Sequence, residues 1–205
     1  KALADLYFGG EQKMLRLDMS EYVTEVGVSR LLGAPPGSGD ERGELTDRIH
    51  DNPYTLVLLD EFEKAHPKIL DLFLQVLSDG RLTDNKGRTV SFANTILIAT
   101  SNAASEFIRE EIQKGIPVDK TFQDRLLETL EKNNIFKPEL LNRFDAVVTF
   151  TPLAAIELEN ITTLLLEKVS KQLEEQDITV SFEKKVIEFI VQDGADEHFG
   201  AKPLK

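Results

Sequence analysis

The sequence predicts an α/β fold: a mostly parallel sheet sandwiched by helices, followed by a small, mostly helical subdomain. Three observations carry this. Short apolar runs are continuous rather than alternating, the pattern of strands buried on both faces. Helical periodicities separate them, as a strand–helix alternation around a parallel sheet requires. Past "TPL" at 151–153 the pattern turns to long amphipathic helices, which puts a subdomain boundary near Pro152.

The chain opens on "KALADLYF", which reads as the middle of a helix and points to a fragment. Strands are expected at "MLRLD" (14–18, with Arg16 interrupting it), "TLVLLD" (55–60), "TILIAT" (95–100) and "AVVTF" (146–150). Pro67 suits the first turn of a helix. After it, Ile69, Leu72, Phe73, Val76 and Leu77 recur at three- and four-residue steps on one apolar face. "GAPPGSGDERGELT" at 33–46 is the most loop-like segment. In the second subdomain Leu158, Ile161, Leu165, Val169 and Leu173 mark a long helix. A short strand "ITVSF" (178–182) and a helix with Val186, Ile187, Ile190 and Val191 inward follow.

Composition narrows the class. Apolar residues make up 41% and charged residues 29% of 205, the balance of a globular protein. No apolar run approaches the roughly 18 residues of a membrane-spanning helix, and no basic-then-apolar leader opens the chain. The absence of cysteine excludes disulfides, thiolate metal sites and a cysteine nucleophile, and fits a cytoplasmic protein. A formal charge of −12 argues against nucleic-acid binding, which needs clustered Lys and Arg. His50, His66 and His198 lie far apart and read as solvent-facing side chains.

Three stretches carry candidate chemistry. In "VLLDE" at 57–61 an apolar strand runs into Asp60 and Glu61. At such a place the first carboxylate suits Mg²⁺, a hard cation content with one or two carboxylates, and the second suits an attacking water. In "TSN" at 100–102 a second strand end puts Asn102 beside Asp60, since ligands of open α/β sheets sit outside the carboxyl ends of the strands. Its amide orients a water or touches a phosphate, or else Ser101 and Asn102 only turn the chain. In "FKPELLNRFD" at 136–145, Arg143 sits near a helix end. It is either a solvated charge or an arginine supplied to a neighbouring subunit's nucleotide.

Taken in order, "LDMSEY", "SRLLGAPPG", "LLDEFEKAHP", "LFLQVLSDGRLTDNKGRTVSFANT", "TSN" and "FKPELLNRFD" resemble the second ATPase module of the Clp-type protein-remodelling AAA+ ATPases, nearly end to end. "DGRLTDNKGRTV" is particular to that branch. The resemblance implies that Asp60 holds magnesium, Glu61 is the catalytic glutamate, Asn102 is sensor 1 and Arg143 is an arginine finger acting across a homo-hexamer interface. "FGAKPLK" at 199–205 resembles the sensor-2 segment, with Lys202 at the nucleotide-contacting position. Residues 1–152 would be the large α/β subdomain and 153–205 the lid. ATP and Mg²⁺ are the implied cofactors, and unfolded or aggregated proteins the implied substrates, with a peptidase as an open further partner and no nucleic acid or membrane.

The sequence departs from the family at four places. No GxxxxGK[ST] phosphate loop occurs in the 205 residues, so the chain alone is expected to be inactive. In the family the strand before that loop is central to the sheet. Its absence predicts that upstream residues complete the sheet, or that the chain rearranges or pairs to close the gap. The stretch Ser38 to Gly43 lacks the aromatic that grips substrate in the family, and Lys202 stands where an arginine is usual. "KGIPVDKTF" at 114–122 does not match the peptidase-docking loop, which leans the reading towards a chaperone-type remodeller. The competing reading is a nucleotide-independent scaffold that retains the fold. A DNA-remodelling ATPase is disfavoured by the charge.

Overall fold

The computed structural model describes residues 1–35, 37 and 42–194, and the chain divides into two units, 1–148 and 149–205. In the first unit, α1 (Ala2–Phe8) precedes β1 (Met14–Asp18), and α2 (Val26–Leu32) and α3 (Thr46–Asp51) precede β2 (Leu56–Asp60). Next come α4 (Pro67–Asp79), a hairpin of β3 (Arg81–Thr83) and β4 (Thr89–Ser91), and β5 (Ile96–Ala99). Helices α5 (Ser105–Gln113), α6 (Lys120–Lys132) and α7 (Pro138–Leu141) complete it.

The expected α/β sandwich is present. β1, β2 and β5 form a parallel sheet with β2 in the centre. The central strand is the most buried because both its faces are covered: Leu56, Val57 and Leu59 are almost wholly buried. α4 lays Ile69, Phe73 and Val76 into the core, with Leu72 and Leu77 packed partly buried at its margin, the face that the periodicity predicts. Burying each such side chain contributes about 1.5–3 kcal/mol.

α4 is bounded by local chemistry. Pro67 takes the first helical position, where no N–H is needed. His66 caps it, its Nδ1 accepting the Lys68 N–H at 3.3 Å, so this histidine is a cap and not the idle solvent-facing side chain expected from sequence. At the other end Gly80 adopts φ 64°, a left-handed conformation that glycine enters without strain. Its carbonyl accepts the Phe92 N–H at 2.7 Å, which ties the end of the hairpin back to the helix.

Two expected strands do not form. Residues 146–150 are in no strand, and Val148 and Phe150 are 72% and 87% exposed. β propensity is realised only where another strand supplies a ladder of N–H and C=O groups, and none of β1, β2 and β5 pairs with this segment. The same holds for residues 178–182, since the second unit contains no other strand among its described residues.

The second unit contains α8 (Ala155–Glu174) and α9 (Lys184–Gly194). The Ala154 N–H donates to Glu157 Oε2 at 2.7 Å at the start of α8, a reach-back that satisfies an orphan donor. Leu158, Ile161, Leu165 and Leu173 are partly buried as expected, whereas Val169 is 43% exposed. On α9, Val191 is buried and Ile187 and Ile190 are half-buried. Val186, expected inward, is 41% exposed, because the inward stripe of α9 runs through the other three. No helix among the described residues is long and apolar enough to cross a membrane.

Candidate functional site

The site is built where adjacent parallel strands end. Asp18 on β1 stands in register with Asp60 on β2. Beyond β5 the chain continues into Thr100, whose N–H donates to the Leu59 carbonyl at 2.9 Å and whose carbonyl accepts the Phe62 N–H at 2.9 Å. The backbone thus aligns the ends of the strands before any side chain acts.

Asp60 is gripped from both sides. The Thr100 hydroxyl donates to its Oδ1 at 2.5 Å, and Arg16 of β1 donates to its Oδ2 as an ion pair. The Thr100 hydrogen bond first, and the Arg16 guanidinium second, hold the Asp60 carboxyl below the usual carboxylate range, so it is anionic at neutral pH. The same Thr100 oxygen accepts the Glu61 N–H at 3.2 Å. Asp18 is held low as well, chiefly by the Ser20 hydroxyl at 2.6 Å.

Glu61 has φ 54° and ψ 48°, a left-handed conformation that costs a residue with a Cβ about 1–2 kcal/mol. Neighbouring contacts over-determine it. Next in the chain, Phe62 is 1% exposed and its ring meets Phe73 at 5.6 Å, Phe136 at 5.7 Å and Phe144 at 6.4 Å between centroids. With Phe62 locked in the core, the preceding residue turns away from the strand line. The Glu61 side chain is 33% exposed, and Lys64 Nζ donates to its Oε2 at 2.6 Å, a pairing that raises the Lys64 pKa.

Asn102 lies in the loop beyond β5 with its side chain exposed, and its N–H donates to Glu63 Oε1 at 3.1 Å. Asp60, Glu61 and the Asn102 loop are therefore brought together by bonds between two strand ends. Arg143 stands elsewhere. It follows α7, with its N–H bonded to the Leu140 carbonyl at 3.1 Å, and lines a shallow groove with Leu74, Ser78, Glu139 and Asn142. Its guanidinium makes no hydrogen bond or ion pair with any described residue. Lys202 and residues 38–41 of the loop expected to grip substrate lie outside the described residues.

Sequence reading missed Arg16, Thr100, Glu63 and the β3–β4 hairpin. A signal existed for Arg16, a charge inside an apolar strand, whose exposed side chain reaches Asp60 diagonally across the sheet. Thr100 is the first residue of the "TSN" stretch, in which only Ser101 and Asn102 were weighed. The hairpin was legible in "TDNKGRT", because Asp84 and Gly87 suit a turn.

The donors suit magnesium. Among the described residues no three His, Asp or Glu side chains gather where they could hold a cation, and Arg16 and Thr100 already bond to the two Asp60 oxygens, so the ionised Asp60 is the one hard carboxylate the strand end would offer. Magnesium needs only one or two protein carboxylates, because it keeps waters and takes further oxygens from phosphates.

Comparison with known proteins follows the same outline. Residues 1–147 match the family described as AAA domain (Cdc48 subfamily), and residues 153–205 match the C-terminal D2-small domain of ClpB protein. Chaperone protein ClpB of Aquifex aeolicus (strain VF5) is 45% identical over 215 residues, covering 100% of this chain and 21% of that protein. ClpB of Meiothermus ruber is 46% identical over 207 residues, covering 100% and 24%. The negative regulator of genetic competence ClpC/MecB of Bacillus subtilis (strain 168) is 41% identical over 213 residues, covering 100% and 26%. A closed-state cryo-EM reconstruction of Hsp104 with ATPyS and FITC casein superposes with a TM-score of 0.86 at 32% identity, covering 99% of this chain and 35% of that one. The chain thus spans about a quarter of the length of the curated relatives it matches.

Proposed function

This chain belongs to the AAA domain (Cdc48 subfamily) family, in its Clp-type branch, and from that membership we propose that it is the ATPase module of a hexameric protein unfoldase or disaggregase. The observation that carries the reading is the joining of Asp60, Glu61 and the Asn102 loop at the carboxyl ends of β2 and β5. Residues 1–152 act as the large subdomain and 153–205 as the lid, with Lys202 in the sensor-2 role that the resemblance implies.

Asp60 holds Mg²⁺, which neutralises phosphate charge when bound. Glu61 takes a proton from the attacking water. Asn102 orients that water with its amide. Arg143, whose guanidinium is committed to no described residue, is free to reach the nucleotide of a neighbouring protomer. Protein clients fit the casein present in the Hsp104 reconstruction. A cytoplasmic setting accompanies this reading.

No GxxxxGK[ST] loop lies within the 205 residues, so hydrolysis is expected of the polypeptide that supplies one and not of this chain alone. The scaffold reading is not favoured, since a scaffold has no use for two carboxylates, an asparagine loop and an uncommitted arginine in this arrangement. The deciding measurement is ATP hydrolysis by the full-length protein and its Glu61→Gln variant. Hydrolysis abolished with nucleotide binding retained is expected. Hydrolysis that survives the substitution removes Glu61 from its role.

A further inference from the structure

We propose that Glu63 is a positioning residue that sets Asn102 against Glu61. This rests on the reading of the site just given and adds a residue to it.

Glu63 lies in the short 3-10 turn Phe62–Lys64, two residues past Glu61 and on the same rigid element. Its Oε1 accepts the Asn102 N–H at 3.1 Å. Its Oε2 is sealed from solvent and accepts no hydrogen bond from any described residue. A buried carboxylate oxygen without a partner destabilises the fold relative to an apolar side chain of the same shape. Packing therefore does not explain a glutamate here, whereas a charge-assisted bond to one particular amide does.

That bond has a geometric consequence. The loop beyond β5 is clamped first at Thr100, which bonds to Leu59, Asp60, Glu61 and Phe62. The other bonds near Asn102, from Ala103 N–H to the Ser101 hydroxyl and from Ser105 N–H to the Asn102 carbonyl, stay inside the loop. Glu63 supplies the second clamp, two residues after the first, and two clamps fix the direction of the loop where one would leave a pivot. Phe62 anchors the turn on the other side, so a displacement of the turn moves Glu61 and Asn102 together. The Asn102 amide and the Glu61 carboxylate keep their separation, which is what orienting a single water requires.

Two variants and two readouts test this. Glu63→Gln keeps an oxygen acceptor for the Asn102 N–H, and Glu63→Ala removes it. Amide exchange of the folded chain reads the bond directly. Exchange at Asn102 is expected to rise about tenfold in Glu63→Ala and to stay within about threefold of wild type in Glu63→Gln. In the full-length protein, kcat is expected to fall about 10- to 100-fold in Glu63→Ala, the range for losing an outer-shell partner, with nucleotide affinity within about twofold. Glu63→Gln is expected to recover most of that rate. Asn102 exchanging equally fast in wild type and Glu63→Ala overturns the inference, as does an equal loss of kcat in both variants. A wild-type protein that hydrolyses no ATP instead overturns the proposed function, and the positioning role falls with it.

Discussion

The ring of Phe144 stands edge-on to that of Phe62, with centroids 6.4 Å apart and planes at 84°. Phe62 follows Glu61 and Phe144 follows Arg143, so one aromatic contact links the backbone that carries the carboxylate to the backbone that carries the arginine. Phe136 and Phe73 close the cluster around Phe62.

Phe62 is therefore a stability residue with a functional neighbour. Phe62→Ala is expected to cost about 3–5 kcal/mol, the transfer loss plus the cavity left where the 1% exposed Phe62 ring packs in the aromatic cluster. It also releases the restraint that holds Glu61 left-handed. Urea denaturation measures the cost, and a loss below about 1 kcal/mol would show that the cluster collapses onto the gap and is not the anchor described.

Acid is expected to loosen the hairpin. Arg88 donates through Nε to Asp84 at 2.8 Å and through Nη2 to Asp47 of α3 at 2.5 Å, which joins β3–β4 to the helix. The Arg88 bond is the largest influence on Asp47 and lowers its pKa. For Asp84 burial is the largest influence and pushes upward. The Arg88 side chain and the Arg88 and Lys86 N–H groups together outweigh it, so the net shift is also downward. Carboxyls with depressed folded pKa values contribute stability that is present above the unfolded value of about 3.9 and lost as pH falls through the folded value. The urea midpoint of the wild-type chain is thus expected to hold from pH 7 to pH 5 and to drop below about pH 4. Arg88→Met should lie lower at pH 7 and depend less on pH. Parallel curves for the two proteins would contradict the assignment.

Arg143→Ala separates stability from function. The side chain is exposed and has no bonded partner among the described residues, so thermal unfolding is expected to change by no more than about 0.5 kcal/mol. Hydrolysis by the full-length assembly is expected to fall about 10³- to 10⁵-fold if the guanidinium serves a neighbouring protomer. Mixing Arg143→Ala with Glu61→Gln subunits should then restore part of the rate, because a protomer with an intact Glu61 can receive an intact Arg143 from next door. No recovery on mixing would argue against action in trans.

Much of the candidate site is legible in the sequence. The apolar run 55–60 ends in carboxylates, and a strand buried on both faces must be apolar until it reaches solvent, so Asp60 and Glu61 announce a strand end. Asn102 could be set beside them because parallel strands bring their carboxyl ends to the same edge. Arg16 was visible only as an interruption of its strand. Glu63 looked like any charged residue in "DEFEKAHP", since whether a carboxylate faces water or an amide thirty-nine positions away is not encoded locally.

The sequence by itself determined the positions of β1, β2 and β5, the inward face of α4 and the presence of two carboxylates at a strand end, because these follow from local periodicity and from where apolar runs stop. Of the three strands only β2 is largely buried, while every residue of β5 is half-buried. Only the tertiary structure decided that residues 146–150 and 178–182, apolar and β-branched though they are, form no strand here. It also decided that Thr100 serves Asp60, Glu61 and the ladder at once, and that Arg88 spans two carboxylates. The reason is the same in each case. A strand or a hydrogen-bonded site is completed by partners from distant segments, and a segment carries its own propensity but not the presence of its partner.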